Sequence, residues 1–230
     1  RRQRQMCIRD RFYGCTGLET VALPDGLTEI AARAFSGCSK LASVRLPSTL
    51  TSIGEYAFYD CKALADVVVP EKITTLSRSL FAGCTGLKSV TIPAGVKTID
   101  SGTFNKCSAL ESIELPEGLT TLGSQAFMNC SALKSVRIPD GVTAIPNETF
   151  AYCSVLEMVE LPSALKTIGN MGFYKNNALR SISFPETLET IGTNSFDECH
   201  SLADVTIDIP VVTDYSFRDC GCTTIVLGEK

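Results

Sequence analysis

The sequence repeats with a period of 23 residues, and this repeat constrains the fold more than any other feature. The period is clearest in the prolines, which occupy one position of each unit: Pro24, Pro47, Pro70, Pro93, Pro116, Pro139, Pro162 and Pro185. A period of this length is typical of a solenoid, in which each unit packs mainly against its two neighbours.

Three other positions of the unit are nearly invariant and apolar. One column is phenylalanine: Phe12, Phe35, Phe58, Phe81, Phe104, Phe127, Phe150, Phe173 and Phe196. A second is cysteine, with a single asparagine: Cys15, Cys38, Cys61, Cys84, Cys107, Cys130, Cys153, Asn176 and Cys199. A third is leucine, from Leu18 to Leu202. We expect these columns to line one continuous core, because equivalent side chains of stacked units lie on top of one another.

Each unit is too short for a helical hairpin and has room for one strand and a turn. Residues 89–93 (SVTIP) alternate outward and inward side chains, as a half-buried strand does, and the proline ends the strand. A second short extended piece follows, with Val96 and Ile99 inward. The stretch around Phe and Cys is interpreted as one helical or 3₁₀ turn. The prediction is a solenoid with short parallel strands on one face and turns on the other.

The first eleven residues differ from the rest of the chain. Residues 1–10 read RRQRQMCIRD, which resembles the translation of a transposase-type sequencing adapter. We therefore interpret residues 1–11 as an unstructured adapter artefact fused to a metagenomic gene fragment, and exclude them from fold reasoning. A basic targeting or nucleic-acid-binding arm is the alternative. Residues 12–230 are then the solenoid, with about nine units and truncation expected at both ends.

Composition excludes several classes of function. The formal net charge is −4, whereas nucleic-acid binding needs clustered basic residues. No apolar run reaches the ~18 residues that cross a bilayer, so we predict no membrane insertion. The only histidine, His200, lies in a column of interchangeable polar residues without a nucleophile arrangement. We therefore predict no enzymatic activity and no cofactor.

The cysteine column suggests metal binding at first sight. Cysteines 23 residues apart form a row and not a converging ligand set, so we predict no metal site. We interpret the column as buried thiols that satisfy backbone groups at a turn, with Asn176 in the same role. Disulfides between adjacent units stay open as an alternative.

With these columns established, the chain resembles the BspA-type leucine-rich repeats. Residues 87–107 (LKSVTIPAGVKTIDSGTFNKC) match that pattern along their whole length, and the resemblance extends over about residues 12–217. It implies a leucine-rich-repeat solenoid from a bacterial or protist surface protein associated with adhesion. The implied location is the cell surface or the secreted fraction, and the implied partner is a protein or glycan on a host or neighbouring cell. The last unit departs from the pattern, with Asp208 where proline is expected.

The outward strand positions are the candidate contact surface, because leucine-rich solenoids present such a strand face, which we expect to be concave. The candidate residues are Arg45, Val68, Lys88, Glu111, Glu114, Lys134, Arg137, Glu157, Met158 and Glu160. Their charges alternate in sign between units, which favours a self-neutralising ladder that solubilises the sheet. A dedicated ligand site is the alternative, with Val68 and Met158 as apolar contact points.

Three functions remain open at this point. The first is a monomeric, non-catalytic interaction or adhesion scaffold, as a fragment of a bacterial cell-surface protein. The second is a spacer or accessory repeat segment of a larger secreted or wall-anchored enzyme. The third is an intracellular interaction protein, which would agree with reduced cysteines.

Overall fold

The computed structural model describes residues 6–8, 12–203, 205–207 and 210–227. These residues contain eighteen short strands and no helix, and the strands form two rows. The first row contains β2 (Thr20–Val21), β4 (Ser43–Val44), β6 (Asp66–Val68), β8 (Ser89–Thr91), β11 (Ser135–Arg137), β13 (Met158–Glu160), β16 (Val205–Ile207) and β18 (Ile225–Leu227). The second contains β1 (Met6–Ile8), β3 (Leu27–Ile30), β5 (Ser52–Ile53), β7 (Thr75–Leu76), β9 (Thr98–Ile99), β10 (Thr121–Leu122), β12 (Ala144–Ile145), β14 (Thr167–Ile168), β15 (Thr190–Ile191) and β17 (Val211–Val212).

All strand pairs are parallel, and most join residues one repeat apart. In the first row Asp66 faces Ser89 and Val68 faces Thr91, and in the second Thr75 faces Thr98. Neither row is one continuous sheet. The first consists of the pairs β2–β4, β6–β8, β11–β13 and β16–β18, and the second of β1–β3–β5, β7–β9–β10 and β12–β14–β15–β17. The predicted parallel solenoid is confirmed, and its strand ladders contain gaps.

The strands of the first row bury alternate side chains. In β8 the side chain of Val90 is buried, whereas Ser89 and Thr91 are exposed. The same exposed–buried–exposed pattern holds in β6, β11 and β13. The outward side chains of this row therefore form one surface. Side chains that are neighbours on this surface belong to consecutive units.

The core is organised around a file of phenylalanine rings. Ten rings, from Phe12 to Phe217, stack with centroids 5.1–5.8 Å apart and planes within 15° of parallel. The rings from Phe35 to Phe196 are fully buried. This spacing slightly exceeds the ~4.8 Å between paired strands, so the rings follow the rise of the units. The aromatic column expected from the sequence is confirmed.

The turn face differs from the helical or 3₁₀ turns expected there. Residues two positions before and two positions after each phenylalanine have positive φ. The first set is Arg33, Tyr56, Ser79, Gly102, Gln125, Glu148, Met171, Asn194 and Tyr215; the second is Gly14, Gly37, Asp60, Gly83, Lys106, Asn129, Tyr152, Lys175, Glu198 and Asp219. Two left-handed residues four positions apart in the same unit, such as Arg33 and Gly37, prevent a continuous helix, so single turns form instead.

These left-handed residues create a third hydrogen-bonded row. The N–H groups of Arg33, Phe35 and Gly37 donate to carbonyls of the next unit at 2.9, 2.9 and 2.7 Å. The intervening N–H groups close turns within their own unit, as from Ser36 to the carbonyl of Arg33 at 3.1 Å. The three bonds to the next unit recur in each unit from that of Phe35 to that of Phe196, so the turn face satisfies these backbone groups without helix or strand.

The cysteine column also bonds to the backbone. Cys61, Cys84 and Cys107 each donate from Sγ to the carbonyl of a phenylalanine one unit earlier, at 3.1–3.2 Å. Burial raises the pKa of the Cys61 and Cys153 thiols to about 12, which keeps the donor proton in place. The eight cysteines of the column, from Cys15 to Cys199, form no disulfide.

Asn176 does not take over the role expected of it. The residue is fully buried, and neither its Oδ1 nor its Nδ2 atom has a hydrogen-bond partner among the described residues. The asparagine therefore fills the space of the thiol without making its bond.

At the N-terminus, Met6–Ile8 pair in parallel with Leu27–Ile30, although the sequence predicts no structure in residues 1–11. The apolar Met-Cys-Ile run adds a strand to the open edge of β3, since an unpaired sheet edge offers free backbone groups. The remaining residues of that segment, and Asp208 of the irregular last unit, lie outside the described residues.

Candidate functional site on the first strand row

All ten residues predicted as contact residues are exposed, and all lie on the first strand row or directly beside it. Val68 and Met158 are the apolar members, with 67% and 54% of their surface exposed. The surface divides into two parts with different electrostatics.

In the C-terminal part of the row, the charged side chains bind one another. Four ion pairs join this surface: Lys134–Glu111 (3.1 Å), Arg180–Glu157 (3.2 Å), Arg137–Glu160 (3.7 Å) and Arg137–Glu117. All of these groups are well exposed, so each pair contributes only ~0–1 kcal/mol. In this part of the row, side chains of opposite charge from different units therefore neutralise one another, as the alternating charges of the sequence predict.

In the N-terminal part of the row, the charged side chains have no such partners. Arg45, Asp66, Glu71 and Lys88 are exposed and make no ion pair with another described residue. Their full charge faces solvent, which leaves them available to a partner.

The same part of the row contains an open groove of about 710 Å³. Three consecutive units line the groove. The first contributes Ser43 and Arg45, the second contributes Asp66, Val68 and Glu71, and the third contributes Thr91. The column that precedes each strand holds alanine at positions 42 and 65, whereas the next five units carry lysine, glutamate or arginine there. Because these alanines are short, no long side chain from that column covers the groove.

The groove coincides with a gap in the strand ladder. β4 and β6 are not paired, although the residues that directly precede them are joined by a backbone hydrogen bond from the Ala65 N–H to the Ala42 carbonyl at 3.3 Å. The backbone N–H and C=O groups of Arg45 and Leu46 make no hydrogen bond with another described residue. A smaller groove of about 290 Å³ lies at the next such gap, between β8 and residues 112–114.

Sequence reasoning identified Arg45, Val68 and Lys88 but missed the acidic side of the groove. Asp66 lies in a column that is mostly serine, and Glu71 lies after the proline that ends the strand, so neither belongs to the columns of alternating charge. The signal that could have found the groove is the pair of alanines, Ala42 and Ala65, in a column that is charged in the next five units.

The turn face carries a second cluster, built from tyrosines. All six tyrosines flank the phenylalanine column: Tyr13, Tyr56, Tyr59, Tyr152, Tyr174 and Tyr215. Lys175 lies 5.3 Å from the ring centroid of Tyr174 and 3.2 Å from Glu198, whose carboxylate also accepts from the Tyr174 hydroxyl at 3.0 Å. The hydrogen bond to Glu198 raises the pKa of Lys175. These polar groups satisfy one another, which is the behaviour of a structural network.

Neither surface resembles a catalytic centre. Within the described ranges, no group of three or more His, Cys, Asp and Glu side chains could hold a metal ion. None of the described residues belongs to a helix with the length and apolar character that crossing a bilayer requires.

Together, the 23-residue units, the two parallel strand rows and the buried phenylalanine file define a leucine-rich-repeat β-solenoid. The chain belongs to the BspA type leucine rich repeat family, whose sequence profile matches residues 8–134 and 97–224 with six copies. Leucine-rich repeats of this kind are in general non-enzymatic scaffolds.

Solved structures of bacterial leucine-rich repeat proteins are similar to this chain. The leucine-rich repeat protein of T. pallidum is 28% identical, with a TM-score of 0.59 over 80% of this chain and 78% of that one. A leucine rich cell surface protein of Faecalibacterium prausnitzii is 23% identical, with a TM-score of 0.51 over 96% and 76% of the two chains. A protein of Bacteroides ovatus is 28% identical, with a TM-score of 0.47 over 91% and 72%. No curated protein sequence matches the chain.

Proposed function

We propose that this chain is a non-catalytic interaction scaffold of a bacterial cell-surface protein, and that it contacts a protein or glycan on a host or neighbouring cell. The observation that carries the proposal is the N-terminal part of the first strand row, where an open groove lies among charged side chains without partners. Membership of the BspA-type family supports the scaffold role. The similar protein of F. prausnitzii, which is described as a cell surface protein, supports the location.

The contact surface in this proposal is narrower than the ten residues predicted from the sequence. Arg45 and Val68 line the groove, and Lys88 directly precedes Ser89 of its lining. The charged groups of Arg45 and Lys88 make no ion pair with another described residue. The candidates further along the row, from Glu111 to Glu160, are mostly held in ion pairs with neighbouring units. A partner would have to break those pairs before binding there, whereas at the groove it meets free groups.

The frame of the solenoid supports this role. Stacked rings and the hydrogen-bonded row of the turn face join consecutive units, and paired strands add to them wherever the strand rows are unbroken. A surface built on such a frame keeps its shape, so little conformational entropy is lost when a partner binds.

The test is attachment of protein-coated beads to cells under flow. Beads that carry the full chain are compared with beads that carry Val68→Asp, which places a charge in the groove, and with beads that carry Tyr59→Asp on the turn face. We expect the groove variant to reduce retention to the level of uncoated beads and the turn-face variant to retain attachment. Equal retention of both variants and the parent chain, or no attachment of the parent chain, would favour the alternative role as a spacer segment.

A further inference from the structure

We infer that the groove between β4 and β6 binds an extended segment of a partner protein, with a basic side chain facing Asp66 and an apolar side chain two residues further on facing Val68. This inference rests on the proposed function and specifies the chemistry of the partner at the same surface.

The backbone in the groove provides the first argument. Arg45 and Leu46 directly follow β4, and their N–H and C=O groups make no hydrogen bond with another described residue. Unpaired backbone groups beside a strand are the feature that a peptide in extended conformation recognises, because it can add its own N–H and C=O groups to them. A polypeptide supplies such groups at every residue.

The spacing of the side chains provides the second argument. Asp66 and Val68 are both exposed ends of β6, so their side chains point the same way and lie ~6.6 Å apart along the strand. Alternate side chains of an extended peptide have the same spacing. A peptide that runs along β6 can therefore place one side chain at the carboxylate and the next on the same face at the valine.

Charge decides which side chains these are. Asp66 and Glu71 both line the groove, and neither has a cationic partner among the described residues. Among the described residues, Arg45 is the only cation that lines this groove, so the charged side chains of the groove, Arg45, Asp66 and Glu71, sum to −1. A basic side chain of the partner is attracted to the carboxylates of Asp66 and Glu71. An apolar side chain of the partner can pack on the exposed side chain of Val68 and remove it from water.

The lining of the groove also favours a polypeptide over a glycan. Sugar rings are commonly held by stacking on aromatic side chains, and none of the described residues that line the groove is aromatic. The tyrosines of the chain flank the phenylalanine column on the turn face instead.

The inference is tested on the full chain with three fluorescein-labelled, end-capped heptapeptides, by fluorescence anisotropy at low salt. The first has the sequence TKTVTKT, the second replaces both lysines with glutamate, and the third carries N-methyl groups on its central amides. We expect the first to bind, and the other two to bind about tenfold more weakly, because they lose the charge attraction or the backbone hydrogen bonds.

Variants of the chain then locate the binding. The double variant Asp66→Asn with Glu71→Gln removes both carboxylates without a change of size, and we expect it to weaken binding of the lysine peptide about threefold to tenfold. The matched control is Glu189→Gln on the second strand row, which we expect to bind as the parent does. Circular dichroism and a urea melt of each variant check that the fold is retained.

Three results would overturn the inference: equal binding of the three peptides, lysine-peptide binding that is the same in the double variant and the control, or absence of peptide binding. Bead attachment that still depends on Val68 would then leave the proposed function standing with a glycan as the partner. Loss of that dependence, with peptide binding intact, would instead overturn the proposed cell-contact role alone.

Discussion

Asn176 is the one buried interruption of the cysteine column, and replacing it with cysteine should stabilise the protein. In the units on either side, Cys153 and Cys199 donate from Sγ to the carbonyls of Phe127 and Phe173, each at 3.2 Å. By the same register, a thiol at position 176 faces the carbonyl of Phe150. Asparagine at this position leaves both polar atoms of its amide buried and without a partner among the described residues.

The expected magnitude follows from the cost of an unpaired buried group. Leaving a buried polar group unsatisfied costs ~1–3 kcal/mol, and the new thiol bond adds a smaller gain. The two side chains are similar in size, so the change creates little cavity or overpacking. We therefore expect Asn176→Cys to raise the free energy of unfolding by about 1–3 kcal/mol, which corresponds to a rise in Tm of about 2–12 °C for a chain of this length.

The measurement is equilibrium urea unfolding with a reducing agent, followed by circular dichroism, together with thermal unfolding. The matched reverse variant is Cys107→Asn, which removes the bond from Sγ to the Phe81 carbonyl and buries an amide in its place. We expect that variant to lose stability by a similar amount. If Asn176→Cys left the midpoint unchanged or lowered it while Cys107→Asn was destabilising, the amide of Asn176 would have to be satisfied, and the reasoning would be refuted.

Two further predictions concern the core columns. Phe104 is fully buried between Phe81 and Phe127, with ring centroids 5.8 and 5.3 Å away, so Phe104→Ala should cost about 3–5 kcal/mol in urea melts; a loss under about 1 kcal/mol would contradict its place in the file. Burial raises the pKa of Cys153 from 9.0 to about 12, so above pH 9 the unfolded chain loses this proton while the folded chain retains it, and stability should fall as the pH rises from 9 toward 12. Cys153→Ser lacks this titration and should reduce the slope by about 1.4 kcal/mol per pH unit; an unchanged slope would be inconsistent with a buried, protonated thiol.

Much of this fold could be predicted because each repeated position of the sequence has a residue type with one clear structural requirement. A phenylalanine in every unit needs a dry, stacked environment, and a proline in every unit ends a strand that has no further N–H to give. Such requirements repeat with the chain, so the period, the parallel strands and the buried file all follow from the sequence alone.

The conformation of the turn face could not be predicted in the same way. Its left-handed positions hold residues as different as Arg33, Tyr56 and Met171, and glycine appears at only a few of them. A weak signal exists, since none of these positions holds a β-branched residue, the class that tolerates positive φ least. The absence of one residue class from a position is harder to see than the repetition of one residue. The sequence therefore favours the nearest regular structure, a helical or 3₁₀ turn.

The candidate site was least predictable, because it depends on departures from the repeat. Every periodic column has a structural explanation: rings stack, thiols bond to carbonyls, and alternating charges on the C-terminal part of the row pair with each other. A polar group that the protein leaves unpaired can bind a partner without first giving up a contact of its own, whereas a group already held in an ion pair cannot. On the first strand row such groups occur where the pattern fails, at the alanines of positions 42 and 65, at the unpaired backbone of Arg45 and Leu46, and at the unpaired carboxylate of Asp66. In a repeat protein, then, the positions that break a column without weakening the core are the first ones to test for function.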